Sequence, residues 1–334
     1  MPKTMVHIDV VQTAIQLACR APSLHNTQPW RWIVDLGASA GDLHLYLDRT
    51  RCVTRTDGAG REAIISCGAA LDHFRVAMAS AGWMTRIERI PDPDNPDHLA
   101  TITFSPRAVV VVGDRRRADA ILQRRTDRLP FETPPNWSQF ARMLNTVIAD
   151  RAVLLDVIDD VMRPRLADAS ALSDALRIYD SAYQTELDWW TAPFTLEDGV
   201  PRSALVSAAD SDRVDIGRTF PVVAERASRP GLQEDQAKVL ALSTARDTPK
   251  NLLRCGELLS EVLLEATLAG MATCTITHML ELTASREVVG AAIGRSHPQA
   301  LIRVGLAPTF GRIPPPTRAG RLPTYSRFAV RAGP

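Results

Sequence analysis

The chain has 334 residues of which 45% are hydrophobic, more than one ordinary domain and ample for a packed core without covalent staples. Its 39 basic and 38 acidic residues leave a net charge of +1, which excludes a global field that would draw in nucleic acid or an anionic membrane. Five scattered cysteines (Cys19, Cys52, Cys67, Cys255, Cys274) form no Cys-x-x-Cys pair and read as reduced thiols, and the first ten residues hold no apolar signal run, so a cytoplasmic location is expected.

In chain order, Val10, Val11, Ala14, Ile15, Leu17 and Ala18 recur at helical spacing, and Trp30, Trp32 and Val34 then alternate as a half-buried strand does. Between them, Pro22 disfavours helix at Ala21 and Pro29 disfavours it at Gln28, so the intervening residues form a loop presenting Ser23, His25, Asn26 and Gln28. Their hydroxyl, imidazole and amide groups donate and accept while carrying little charge, a mixture that suits the polar edge of a flat heteroaromatic ring. The other reading of Asn26 and Gln28 is that they satisfy the backbone of the turn itself.

Two windows further along match at equal spacing. Cys67-Gly68 to Ala81-Gly82 aligns with Cys255-Gly256 to Ala269-Gly270, and Leu71 aligns with Leu259. Both windows are long apolar helical patterns that follow two short strands and precede two more. In the first half the strands fall near Trp30 to Val34, Leu43 to Leu47, Met84 to Ile90 and Leu99 to Phe104; in the second, near Val153 to Ile158, Val239 to Leu242, Thr273 to Thr277 and Ala300 to Val304. The strands do not alternate one by one with helices, so an α+β layered class is predicted, with mixed or antiparallel sheets carrying packed helices. The two similar halves read as one chain imitating a two-fold homodimer.

The halves are placed at residues 1–110 and 111–334, with the join near Ser105 to Asp114. A helix is predicted from Pro164 to Asp188. From Trp189 to Gln236 the chain loses clear periodicity, as a lid or mobile segment does, and from Pro308 an extended tail includes Pro314, Pro315 and Pro316. The apolar run Val262 to Leu280 contains Glu265 and His278 and reads as buried helix and strand, not a membrane span. Cys274 and His278, or Cys67 and His73, lack the second close pair that a metal site needs, so no metal is expected.

Arg115, Arg116, Arg117, Arg124, Arg125 and Arg128 cluster within fourteen residues. Arginine forks match phosphate oxygens, so Arg124, Arg125 and Arg128 with the Thr126 hydroxyl are candidates to hold one phosphate; a solvated basic helix end is the alternative.

The pairing of Arg124-Arg125-Thr126-Asp127-Arg128 with Pro22-Ser23-Leu24-His25-Asn26-Thr27-Gln28-Pro29-Trp30 resembles the FMN-dependent nitroreductase family, and in length and wording its mycobacterial Acg-like branch. The resemblance runs over nearly the whole chain and implies an FMN-binding oxidoreductase that takes hydride from transiently bound NAD(P)H and passes electrons to a nitro or quinone-like acceptor. It implies that Arg124, Arg125, Thr126 and Arg128 hold the phosphate and pyrimidine edge, while Pro22, Ser23, Leu24, His25, Asn26 and Gln28 approach the ring from the opposite half. Thr273 and Cys274, in the turn after Gly270, are similar to the segment that places backbone donors near flavin N5, and Arg318 and Arg321 lie where the family has a phosphate-binding base. No catalytic acid–base pair is expected, because the flavin carries the reaction. Only one arginine motif and one Pro-Ser turn are present, so one FMN per chain is expected, in a monomer with internal pseudo-symmetry or in an external dimer. Trp189, Trp190 and Phe194 open the irregular region and form a candidate lid over the flavin; such a lid leads to the alternative of a non-catalytic protein that binds or sequesters FMN. The alternative for Trp189 and Trp190 is that they end a helix and pack into the core.

Overall fold

The computed structural model describes residues 6–36, 41–147, 152–192, 199–201, 204–220, 232–307 and 328–332. The first helix, α1 (Ile8–Ala18), buries Val11, Ala14, Ile15 and Ala18, a stripe at spacings of three and four. It leads through the Pro-Ser turn to β1 (Trp30–Leu36) and β2 (Leu43–Leu47), whose alternating burial marks one packed face. Helix α2 (Arg61–Ser80) follows and is buried on nearly every side, then β3 (Trp83–Arg89) and β4 (His98–Pro106).

The second half opens with α3 (Val112–Gln123), α4 (Trp137–Val147) and β5 (Val153–Val157). Helices α5 (Arg163–Arg177), α6 (Ser181–Thr191) and the single turn α7 (Ala208–Ser211) precede β6 (Lys238–Thr244). The second long helix, α8 (Pro249–Leu268), leads to β7 (Ala272–Ile276), α9 (His278–Glu281), α10 (Thr283–Ile293), β8 (Pro298–Gly305) and β9 (Phe328–Ala332).

The strands make two sheets, ordered β3-β4-β2-β1-β9 and β5-β6-β8-β7. Read from its other edge, the second sheet repeats the first four strands of the first: third, fourth, second and first strand of the half, these neighbours all antiparallel, with β9 added parallel to β1 in the first sheet alone. Even the irregularity recurs, with a register shift at Leu45/Tyr46 in one sheet and at Leu242/Ser243 in the other. All eight strands foreseen from periodicity lie where expected, and the class is α+β. The foreseen helix Pro164 to Asp188 differs: it divides into α5 and α6 at residues 178–180, where Asp180 caps α6 by accepting from the Tyr183 amide. The expected tail from Pro308 to residue 327 lies outside the described residues.

Helices α2 and α8 cross at the centre, each turned against the other half. A Cβ on Gly68 would lie 2.0 Å from the Leu253 carbonyl oxygen, and one on Gly256 would lie 1.9 Å from that of Ile65. Each glycine thus admits the carbonyl three residues before its partner glycine, a reciprocal contact that no other residue type permits. Polar links extend the seam: Ser260 donates to buried Asp72 at 2.6 Å, Arg75 joins Asp72 to Glu261, and Arg89 grips Glu257 with two bonds of 2.6 Å. Replacing Gly256 by Ala is expected to destabilise the fold by about 3 kcal/mol or more, because backbone has to move. Gly113→Ala, in open space on α3, is expected to be neutral or to stabilise by up to about 1 kcal/mol; urea denaturation of the two variants checks the contrast.

Candidate functional site

The Pro-Ser turn is held in a costly shape. His25, Asn26 and Gln28 all have positive φ (46°, 58° and 54°), a region that costs a non-glycine residue on the order of 1 kcal/mol. Hydrogen bonds hold it there: the Gln28 amide donates to Ser23 Oγ at 3.1 Å, the Leu24 amide to Ser66 Oγ of α2 at 3.2 Å, and Arg51 Nε to the Thr27 carbonyl at 2.7 Å. Asn26 and Gln28 are buried within this turn, and Gln28 Nε2 donates to the Asn26 carbonyl. Pro22, Ser23, Leu24 and His25 instead line a cleft of about 990 Å³, mouth included.

The opposite wall belongs to the second half. Cys274, Thr275 and Ile276 at the end of β7, with Thr277 and His278, face the turn, and Thr126 and Arg128 stand beside them. The arginine segment is pinned to β7 by a parallel bridge between Thr126 and Thr273 and by the Asp127 amide donating to the Thr273 carbonyl at 2.9 Å. Thr273 is therefore a backbone anchor and does not itself line the cleft. Arg124 and Arg125 diverge from Arg128: they face a second depression near Gly270, where Arg125 is exposed and Arg124 is buried and donates to the Arg20 carbonyl. Burial, then the neighbouring Arg20, lowers the Arg124 pKa to about 10.

The irregular region contributes Val206, Ser211, Val214, Gly217, Arg218 and Phe220 to the cleft. Phe220 spans its width, with its ring 5.0 Å from the Arg128 guanidinium and 6.3 Å, edge on, from the His25 ring. Arg128 also donates to the Ala204 carbonyl at 3.1 Å. Trp189 is 67% exposed, Trp190 is half-buried, and neither lines the cleft; among the described residues of this region the aromatic that does so is Phe220. Phe194, Arg318 and Arg321 lie outside the described residues.

Among the described residues, three cleft-lining side chains carry buried polar atoms without a well-formed hydrogen bond: both ring nitrogens of His25, both carboxyl oxygens of Glu62, which has the Thr277 hydroxyl beside it, and Nδ1 of His278. Each such atom costs about 1–3 kcal/mol unless something else meets it. Burial first, then the Arg218 and Arg128 charges, holds His25 well below the usual imidazole range, and burial with Arg218 does the same to His278. Burial and the nearby Glu281 and Asp57 carboxyls push Glu62 well above the usual carboxyl range. His25, Glu62 and His278 are thus held towards their neutral forms, while Arg218 and Arg303, each paired with a carboxylate, also line the cleft. Cys274 is likewise pushed up by burial and stays a thiol.

No family model matches the chain. A Mycobacterium tuberculosis (strain H37Rv) protein named "Putative NAD(P)H nitroreductase acg" is 56% identical over 333 residues, 99% of each chain. The chain belongs to the nitroreductase family. A second M. tuberculosis nitroreductase of similar name is 37% identical over 319 residues, covering 92% of this chain and 88% of its own. A solved nitroreductase structure from Anabaena variabilis covers 89% of this chain and 73% of its own at a TM-score of 0.45 and 9% identity.

Sequence reasoning missed Glu62, His278, Arg218, Phe220 and Arg303 in this nitroreductase. Arg303 was the most visible of them, a lone cation within the apolar strand Leu301-Ile302-Arg303-Val304. It is fully buried and bonds Asp235 through Nε at 2.9 Å and a terminal nitrogen at 2.5 Å, with its guanidinium 4.8 Å from the Phe131 ring. Asp235 also accepts from the Phe131 amide at 2.7 Å and from Arg163 at 2.8 Å. Burial alone raises the Asp235 pKa, but Arg303 and these hydrogen bonds outweigh it and hold the group below its ordinary 3.8. Its stabilisation is therefore complete above pH 3.8 and fades as acid drives the pH below that value. Asp235→Asn is expected to destabilise by about 3–5 kcal/mol at neutral pH, a gap that narrows in acid; urea denaturation as a function of pH measures it.

Proposed function

We propose that the cleft between the two halves binds one FMN per chain and that the protein is a nitroreductase-type oxidoreductase, carrying electrons from NAD(P)H to a nitro or quinone-like acceptor. The observation that carries this reading is the composition of the cleft: a cation, Arg128, on a wall from the second half, facing uncharged buried polar groups on a turn from the first. A flat heteroaromatic ring with a polar edge answers both sides, and the five orphaned polar atoms fit such a guest. FMN, when bound, supplies hydride transfer. Arg128 would then hold the carbonyl-bearing, hydrogen-bond-accepting edge of the ring by charge-assisted hydrogen bonds, and Ser23, Leu24 and His25 would fix its plane. Arg124 and Arg125 face the neighbouring depression and not the cleft, so they have no part in holding the ring on this reading.

A single site is supported by what occupies the pseudo-equivalent place. In the register that pairs Gly68 with Gly256, Thr277 corresponds to Arg89, and Arg89 is committed to Glu257 by two hydrogen bonds. A monomer is the proposed state, since both contributing halves lie in one chain.

A second reading, in which FMN is held without turnover, draws on the residues of the irregular region that line the cleft, Arg218 and Phe220 above all. An anaerobic spectrum of the FMN-reconstituted protein before and after NADPH separates the two: bleaching favours the oxidoreductase, and a shifted band that persists favours the holding protein. Absorbance of heat-released cofactor is expected to give one FMN per chain, and a ratio near two would overturn the single site. Arg128→Ala is expected to weaken FMN binding about 10- to 100-fold, read by quenching of flavin fluorescence.

A further inference from the structure

Glu62 and His278 come from different halves, one on the first turn of α2 and the other at the start of α9, and both line the cleft. They are 3% and 1% exposed, and no sequence motif marks them. His278 Nε2 is engaged by Ser170 Oγ at 2.9 Å, and Ser170 also reaches the Gly217 carbonyl, so Nδ1 alone is left for a guest. The carboxyl of Glu62 has neither oxygen in a well-formed hydrogen bond, with the Thr277 hydroxyl beside it. The cation near them both, Arg218, is committed to Glu281 and, at 2.7 Å, to the Tyr183 hydroxyl.

We propose that Glu62 and His278 form a further binding subsite of the cleft, taking the edge of a ligand that carries an uncharged carbonyl next to an N–H. A protonated carboxyl offers one donor and one acceptor side by side, and a neutral imidazole with one nitrogen engaged offers a single further contact. That pattern is complementary to a cyclic imide or a carboxamide and mismatched to a carboxylate or phosphate. Isoalloxazine and nicotinamide both carry such an edge. The inference rests on the FMN reading above and adds to it the residues that select an uncharged polar edge.

The groups acting on Glu62 are Asp57 from the loop before α2, Thr277 and Glu281 from the β7–α9 side, and Arg218 from the irregular region, with His25 and His278 lining the same cleft. Asp57 and Glu281 oppose its ionisation and Arg218 favours it, with burial outweighing all three. Ionisation at alkaline pH converts the donor into an acceptor and removes the match.

The test uses the full-length protein and three variants, Glu62→Gln, Glu62→Leu and His278→Leu, with thermal melts to certify folding. FMN binding is read by fluorescence quenching, and NADP⁺ binding to the FMN-loaded protein by perturbation of the flavin spectrum. The leucine variants are expected to weaken one of the two ligands by about tenfold, while Glu62→Gln stays within about threefold of wild type at neutral pH. A loss confined to FMN assigns the subsite to the isoalloxazine; a loss confined to NADP⁺ assigns it to the nicotinamide carboxamide. Wild-type affinity for that ligand falls toward alkaline pH and that of Glu62→Gln does not, a contrast that decides the matter even where a leucine variant fails to fold. Wild-type-like binding of both ligands by the folded variants, with the same pH dependence in Glu62→Gln, overturns the subsite alone. Failure of the wild type to bind FMN overturns the cofactor reading and the subsite with it.

Discussion

Two glycines, one in each central helix, let the backbones of α2 and α8 touch without side chains between them, and the rest of the architecture is set around that contact. The reciprocity of Gly68 and Gly256 makes the seam locally two-fold, so each half presents the same helix face to the other. Because α2 also anchors the Pro-Ser turn through Ser66, its position fixes where the turn meets β7 of the opposite half. Packing and site geometry are thus one constraint: the cleft has its shape because the helices lie close enough to bring walls from two sheets together.

Charge is distributed unevenly around this frame. Along the seam arginines meet carboxylates: Arg75 with Asp72 and Glu261, Arg89 with Glu257, Arg117 with Glu265. In the cleft, Arg128 bonds a backbone carbonyl and lies over an aromatic ring, Arg218 and Arg303 are paired with Glu281 and Asp235, and burial pushes His25, Glu62 and His278 towards their neutral forms. Burial of these groups lowers the local dielectric, which strengthens any polar contact made there. The strained turn belongs to the same economy, for three left-handed residues in four positions persist only where surrounding bonds insist on them.

Much of the fold was legible because its elements are strongly periodic. Alternation located every strand of both four-stranded units, and the matched Gly-containing windows located the helices that cross. Strand order was invisible, since it depends on pairings between residues scores of positions apart. The Pro-Ser turn was legible as a turn from its prolines, but which side chains faced outward was not: the run of left-handed residues buries Asn26 and Gln28 within the turn and leaves Ser23 and His25 at the cleft. Periodicity also joined α5 to α6 across a break that a single capping aspartate makes. The arginine motif was read as one cluster, whereas the extended chain after α3 sends Arg125 to solvent and Arg128 to the cleft. Glu62 had no local signal at all, because an acid in the first turn of a helix is an ordinary choice and only the tertiary fold removes its water.

The last described strand carries a different lesson. β9 runs parallel to β1 and forms the border of the first sheet, although by chain order it belongs to the second half. The polypeptide therefore fastens itself across its own middle, and severing the halves would strip β1 of a neighbour and bare a row of amides and carbonyls. Such a raw border is the kind that recruits other chains into aggregates. Separate production of residues 1–110 would thus yield a sheet missing its hem.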